Sequence, residues 1–194
     1  MDADGLTMAC ATTAEARAGK RAGLRTALVG LAASKGVPTG EIVSFGLAGA
    51  LADAPTGTVI DATRVVDEEG RSLWEGGPLG VPGAVDGILL ASDRVIDDPG
   101  ERRKAFERTG AVATDLESGV LAGTGRLAGC LRVVSDTPRR RLHGLCNAVH
   151  DDGTYAWGGM AKAFARSPVG FTRAGTDGAR ALSVLTRAAR RWAA

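Results

Sequence analysis

The sequence predicts an α/β fold, a sandwich in which helices flank a mixed, largely buried β-sheet. Three observations predict it. Short apolar runs rich in β-branched residues are bounded by glycine and turn residues, the pattern of buried strands. Polar segments between them carry helix start and stop signals. The two kinds mostly alternate, which is the order of an α/β protein. The chain has 194 residues and shows no internal repeat, low-complexity tract or linker, so it reads as one domain, 1–194.

Taken in order, GLTMACA (5–11) reads as a short strand, and TAEARAGK after it as the start of a helix. LRTALVGL (24–31) and GEIVSFGLAG (40–49) read as buried strands between glycines. GTVIDATRVVDE (57–68) is a longer strand, with Pro55 and Gly57 as the turn before it, and GILLAS (87–92) is another. DDPGERRKAFERTG (97–110) places a helix between a Pro-Gly start and a glycine stop. GAVATDLESGVLAGTGRL (110–127) reads as a short strand running into a helix, and GCLRVVSD (129–136) as a strand ending in a polar pair. TYAWGGMAKAFA and RAGTDGARALSVLTRAARRWA read as two closing helices.

Composition excludes several function classes. The net charge of +2 gives no case for nucleic acid as a partner. Arg173, Arg180, Arg187, Arg190 and Arg191 fall at helical spacing among alanines and leucines, the pattern of a solvated helix face. Cys10, Cys130 and Cys146 fit neither a zinc site nor a disulfide framework, and read as buried or free thiols of a cytoplasmic protein. His143 and His150 are the only histidines, too few to suggest histidine catalysis, and no metal or other cofactor is expected. No apolar run is long enough for a signal peptide or a membrane span.

In open α/β sheets, ligands bind beyond the carboxyl ends of the strands. The polar residues at such ends are Asp115 with Glu117, Ser135 with Asp136, Ser92 with Asp93, and the turn from Gly46 to Gly49. In VSFGLAGAL (43–51), glycine follows strand-forming residues where a buried strand wants bulk. Two readings stay open: backbone N–H groups facing a ligand, or close packing of strand on helix.

Three segments together carry a resemblance. VSFGLAGAL (43–51), AVATDLES (111–118) and LRVVSDTP (131–138) occur in the order and at about the spacing of three motifs of the purine/uridine phosphorylase and nucleosidase superfamily. These are a strand ending in a glycine-rich turn, an acidic-hydrophobic-glutamate segment, and a strand ending in Ser-Asp. PTGTVIDATRVVDEEG also matches the strand that follows the turn in that family. The resemblance covers residues 40–138 best. It is closest to the nucleosidase branch and to hopanoid-associated phosphorylases. It implies a three-layer α/β/α sandwich and cleavage of the bond joining a ribose to a purine, on a 5′-modified, adenosine-type nucleoside.

Such cleavage passes through an oxocarbenium-like transition state and has three tasks. The resemblance assigns the departing base to Asp136, as an acid holding a proton in a water-poor pocket and oriented by Ser135. It assigns the ribose to Glu117, a carboxylate beside the forming cation, with Leu116 against the sugar and Asp115 in the same network. It assigns the attacking water to Glu15, just after the first strand. Gly46, Ala48 and Gly49 would supply the main-chain wall and Val95 an edge of the base pocket. The phosphorylases of the family hold phosphate through an arginine and a hydroxyl where this chain has Ser44 and Leu47, which favours water as the nucleophile. Arg25 or Lys35 is an alternative phosphate ligand. Trp157, in an apolar segment at 154–171, is the candidate cover for the 5′ group. Family members are homo-oligomers, so a dimer is expected. Phosphorolysis and non-catalytic nucleoside binding remain the alternatives.

Overall fold

The two longest strands lie side by side and parallel, and the rest of the molecule is arranged around them. The computed structural model describes residues 3–139, 150–154, 165 and 167–194. The strands are β1 (Thr7–Cys10), β2 (Thr26–Leu28), β3 (Ile42–Ala50), β4 (Val59–Val66), β5 (Ser72–Glu75), β6 (Val85–Ala91), β7 (Ala113–Asp115) and β8 (Leu127–Asp136). The α-helices among the described residues are α1 (Thr13–Arg21), α2 (Pro99–Thr109), α3 (Ser118–Ala122) and α4 (Pro168–Trp192).

All eight strands belong to one mixed sheet. Along one path they run β2-β1-β3-β7-β6-β4-β5, and β8 pairs with both β3 and β4. The pairings therefore close a ring: β3 to β7, β7 to β6, β6 to β4, β4 to β8 and β8 back to β3. The ring buries strand edges that an open sheet would expose.

Alternation along β3 and β8 explains the layers. Val43, Phe45, Leu131 and Val133 point to one side, where they pack with Ala181, Leu185, Ala188 and Ala189 of α4 and with Ala18 of α1. Ile42, Ala48, Cys130 and Val134 point to the other, with Leu121 of α3 and Ile60, Val65 and Leu89. A third cluster places Ala105 of α2 against Leu51, Val66, Leu90 and Ile96. This period-two sorting is what a strand buried on both faces requires.

The expected elements are present within a few residues, with two differences. The run 24–31 holds a strand of only three residues, because Gly30 takes φ 76° and the chain turns into a 3-10 segment, Leu31–Ala33. The strand β5 was not expected: it is short, lies at the end of the sheet path, and pairs with β4 alone. The helix expected over TYAWGGMAKAFA, and with it Trp157, lies outside the described residues but for its first and last positions. The five arginines of α4 are exposed. No α-helix among the described residues is long and apolar enough to cross a membrane.

Candidate active site

The two polar residues that close β8 are neighbours in sequence, yet both line one cavity. A bulge is the reason. The register passes from Ala48 opposite Val134 to Gly49 opposite Asp136, so Ser135 is the extra residue and the strand end is turned. The Ser135 hydroxyl lies 2.9 Å from Asp136 Oδ1 and 3.3 Å from the carbonyl of Ala48, which holds the aspartate against the end of β3.

The cavity, about 200 Å³, lies among the ends of β1, β3, β7 and β8 and the loop after β6. Glu15, Ala48, Gly49, Val95, Asp115, Leu116, Glu117, Ser135 and Asp136 all line it. Of the expected site residues only Gly46 does not, and its part is different. A Cβ there would lie 2.3 Å from Glu15 Oε1 and 2.6 Å from Arg132 Nη1. Glycine at 46 leaves the room in which an acid from α1 meets a guanidinium from β8. A Cβ on Gly49 would make only ordinary contacts with protein, at 3.5 Å or more.

Arg132 is the centre of a buried polar network that sequence reasoning did not single out. Its Nε lies 2.7 Å from Asp115 Oδ2, an ion pair without hydrogen-bond alignment. Its Nη2 donates to Ser44 Oγ at 2.6 Å and to Glu117 Oε2 at 3.3 Å, and its Nη1 to the carbonyl of Leu47 at 3.3 Å. Asp115 also accepts the N–H groups of Glu117 and Ser118 at 3.2 and 2.9 Å, and so fixes the turn into α3. One cation thus faces three acids. Burial, followed by the fields of Asp115 and Glu15, pushes Glu117 up to about 8, against the opposing pull of Arg132. The other oxygen of Glu117 accepts the N–H of Ala32 at 3.2 Å, in the short 3-10 segment where Ala32 and Ala33 take positive φ.

Glu15 has two tasks. It completes a capping box with Thr12 at the start of α1, accepting the Thr12 N–H at 2.8 Å on Oε2. Its Oε1 accepts the N–H of Leu47 at 2.8 Å, which ties α1 to the turn of β3.

The water-poor pocket expected around Asp136, in which it would hold a proton, contains a cation. Arg102, on α2, forms an ion pair with Asp136 Oδ2 through Nη1. Arg102 belongs to the helix expected over 97–110, where no residue was singled out, and it is buried. The positions relevant to phosphate are also informative. Ser44 is fully buried and bonded to Arg132 and Ser118, and Leu47 lines the cavity. Arg25 and Lys35 are exposed and do not line it. Cys10 and Cys130 are free and buried, and burial raises both thiols, that of Cys130 to about 12. Cys146 and His143 lie outside the described residues.

No family model and no curated protein matches the sequence. Solved structures do match the fold. A nucleosidase for 5′-methylthioadenosine/S-adenosylhomocysteine from S. pneumoniae, with a transition-state inhibitor, is similar over 96% of this chain and 98% of its own, at TM-score 0.61 and 12% identity. A mutant of the corresponding Helicobacter pylori enzyme, with 5′-methylthioadenosine in its active site, is similar over 94% and 98%, at TM-score 0.57 and 12% identity. Futalosine hydrolase of Helicobacter pylori is similar over 94% and 97%, at TM-score 0.55 and 11% identity. The mixed sheet, the helices around it and the likeness along nearly the whole chain give this protein the fold of the purine/uridine phosphorylase and nucleosidase superfamily.

Proposed function

We propose that this chain hydrolyses the N-glycosidic bond of a purine nucleoside carrying a modified 5′ position. The observation that carries the reading is the convergence of Glu15, Glu117 and Asp136, from three separate elements, on one cavity. Glycosidases place carboxyl groups on either side of the scissile bond, and these three stand around one space. Asp136 meets the departing base. Glu117 holds the ribose, with Leu116 against the sugar. Glu15 takes the proton of the attacking water. Nucleosidases with the same fold, one of them holding a 5′-modified adenosine, support the reading.

Water rather than phosphate is the nucleophile in this reading. Leucine at 47 offers phosphate no hydrogen bond, and the Ser44 hydroxyl is turned into the network of Arg132. The reading also carries a homodimer. A panel of nucleosides, each with and without phosphate and read by base release, is the test. Release without phosphate, yielding a free sugar, is expected. Release that requires phosphate makes the chain a phosphorylase, and binding without release makes it a nucleoside-binding protein. Asp136→Asn is expected to lose release and keep measurable binding.

A further inference from the structure

Two buried guanidinium groups bear on the cavity: that of Arg132 pairs with Asp115 and Glu117, which line it, and that of Arg102 lines it directly. Arg102 reaches the other end. Its Nε donates to the carbonyl of Ile96 at 2.7 Å, and its Nη1 to those of Ala50 at 3.4 Å and Thr137 at 3.2 Å, besides the Asp136 carboxylate. Three elements therefore hold the group in one orientation. Its side chain is 1% exposed, and it lines the cavity. Nη2 has no hydrogen-bond partner among the described residues. A Cβ on Gly49 would lie 3.7 Å from that nitrogen and 3.5 and 3.6 Å from the two Asp136 oxygens. Bare backbone at Gly49 thus leaves a gap where a fixed cationic donor and a carboxylate stand together at the cavity wall.

We propose that Arg102 is a further catalytic residue, the charged donor that stabilises the departing base. The proposal rests on the reading in which Asp136 faces that base. A guanidinium donates hydrogen bonds and accepts none. Aimed by Nη2 at a ring nitrogen or carbonyl of the base, it meets the negative charge that develops there as the bond to C1′ breaks. The electron pair of that bond goes to the base nitrogen, and the water oxygen bonds to C1′ and gives a proton to Glu15. The base leaves as an anion held by Arg102 and afterwards takes a proton from solvent, to which Glu15 returns the one it accepted. Asp136 positions the guanidinium and accepts an N–H of the base. A donor already held in place needs no reorganisation when the charge appears, and removing one such donor typically lowers turnover by about 10²–10³-fold.

Leaving-group ability separates this role from a structural one. Wild-type protein, Arg102→Gln and Arg102→Lys are assayed on a 5′-modified purine nucleoside and on 4-nitrophenyl riboside, whose leaving group is stable as an anion without help. Circular dichroism and thermal melting establish that each variant is folded. Arg102→Gln is expected to lose about 10²–10³-fold in kcat on the purine nucleoside and less than about 10-fold on the nitrophenyl riboside. Arg102→Lys, which keeps a cation, is expected to show the same contrast at smaller size, and it serves alone if the glutamine variant does not fold. Equal losses on both substrates, or no loss, overturn the proposal and leave the hydrolase reading intact. If the wild type cleaves neither substrate, the hydrolase reading falls and takes the proposal with it.

Discussion

Glu117 carries the most consequential balance of charge in the molecule. Arg132 attracts its carboxylate form; burial, Asp115 and Glu15 oppose that form, and together they win. A carboxyl that titrates near 8 is mostly neutral at pH 7, while the role proposed for it at the ribose calls for the anion. For hydrolysis by this site, kcat/KM is therefore expected to rise with pH up to about 8 and then level. In Glu117→Gln that break disappears and turnover falls. Stability moves the other way. The group titrates near 4.5 when unfolded and near 8 when folded, so between those values the folded state holds the extra proton. Its contribution thus declines as pH rises through that window and is flat above it. Urea unfolding at pH 5 and pH 8 is expected to show this decline in the wild type and less of it in Glu117→Gln. Short motifs mark Glu117 and Asp136, and position after the first strand marks Glu15; all three line the cavity. The two arginines were not legible in the sequence. Arg132 lay inside a quoted motif, but nothing in an apolar strand says what a lone arginine meets. Arg102 stands in the run Arg102, Arg103, Lys104, and only packing distinguishes the buried one, three residues before buried Ala105.

Helix α1 shows an element serving two ends. The Thr12–Glu15 capping box starts the helix, and the same glutamate reaches the turn of β3. Thr12→Ala is expected to cost about 1 kcal/mol in urea unfolding, the usual worth of such a cap. It also removes the hydroxyl, one of the two donors that hold Glu15 Oε2, so lower turnover with little change in substrate affinity should accompany the loss. The capping residues of α2 were legible: Asp98 accepts two backbone N–H groups, Pro99 follows, and Gly110 ends the helix at φ 68°. The strand β5 was not legible, since its four residues, three of them exposed, show neither alternation nor an apolar run. The shortness of β2 was hidden as well, because it depends on how the chain turns at Gly30.

For the whole molecule, sequence order and apolar runs foretold a mixed sheet with helices around it. They did not foretell that β8 joins β3 to β4, since pairing partners follow from which edges meet in space. A surface feature bears on assembly. Leu73 of β5 and Val120 of α3 are both exposed, and Leu73 Cδ1 lies 3.5 Å from where a Cβ on Gly119 would be. Leu73→Glu tests whether the proposed homodimer forms through this face. Light scattering is expected to give twice the chain mass for the wild type and less for Leu73→Glu; a monomer at all concentrations removes the dimer. The ring has its own consequence during synthesis. Strands β3 and β4 leave the ribosome long before β8, and until then each offers an unsatisfied edge to any neighbour. The cavity does not exist in that interval either, because one wall is the last turn of β8. A nascent chain stopped short of Leu127 is thus sticky and lacks the cavity, and the proposed cleavage would report that the final strand has slotted home.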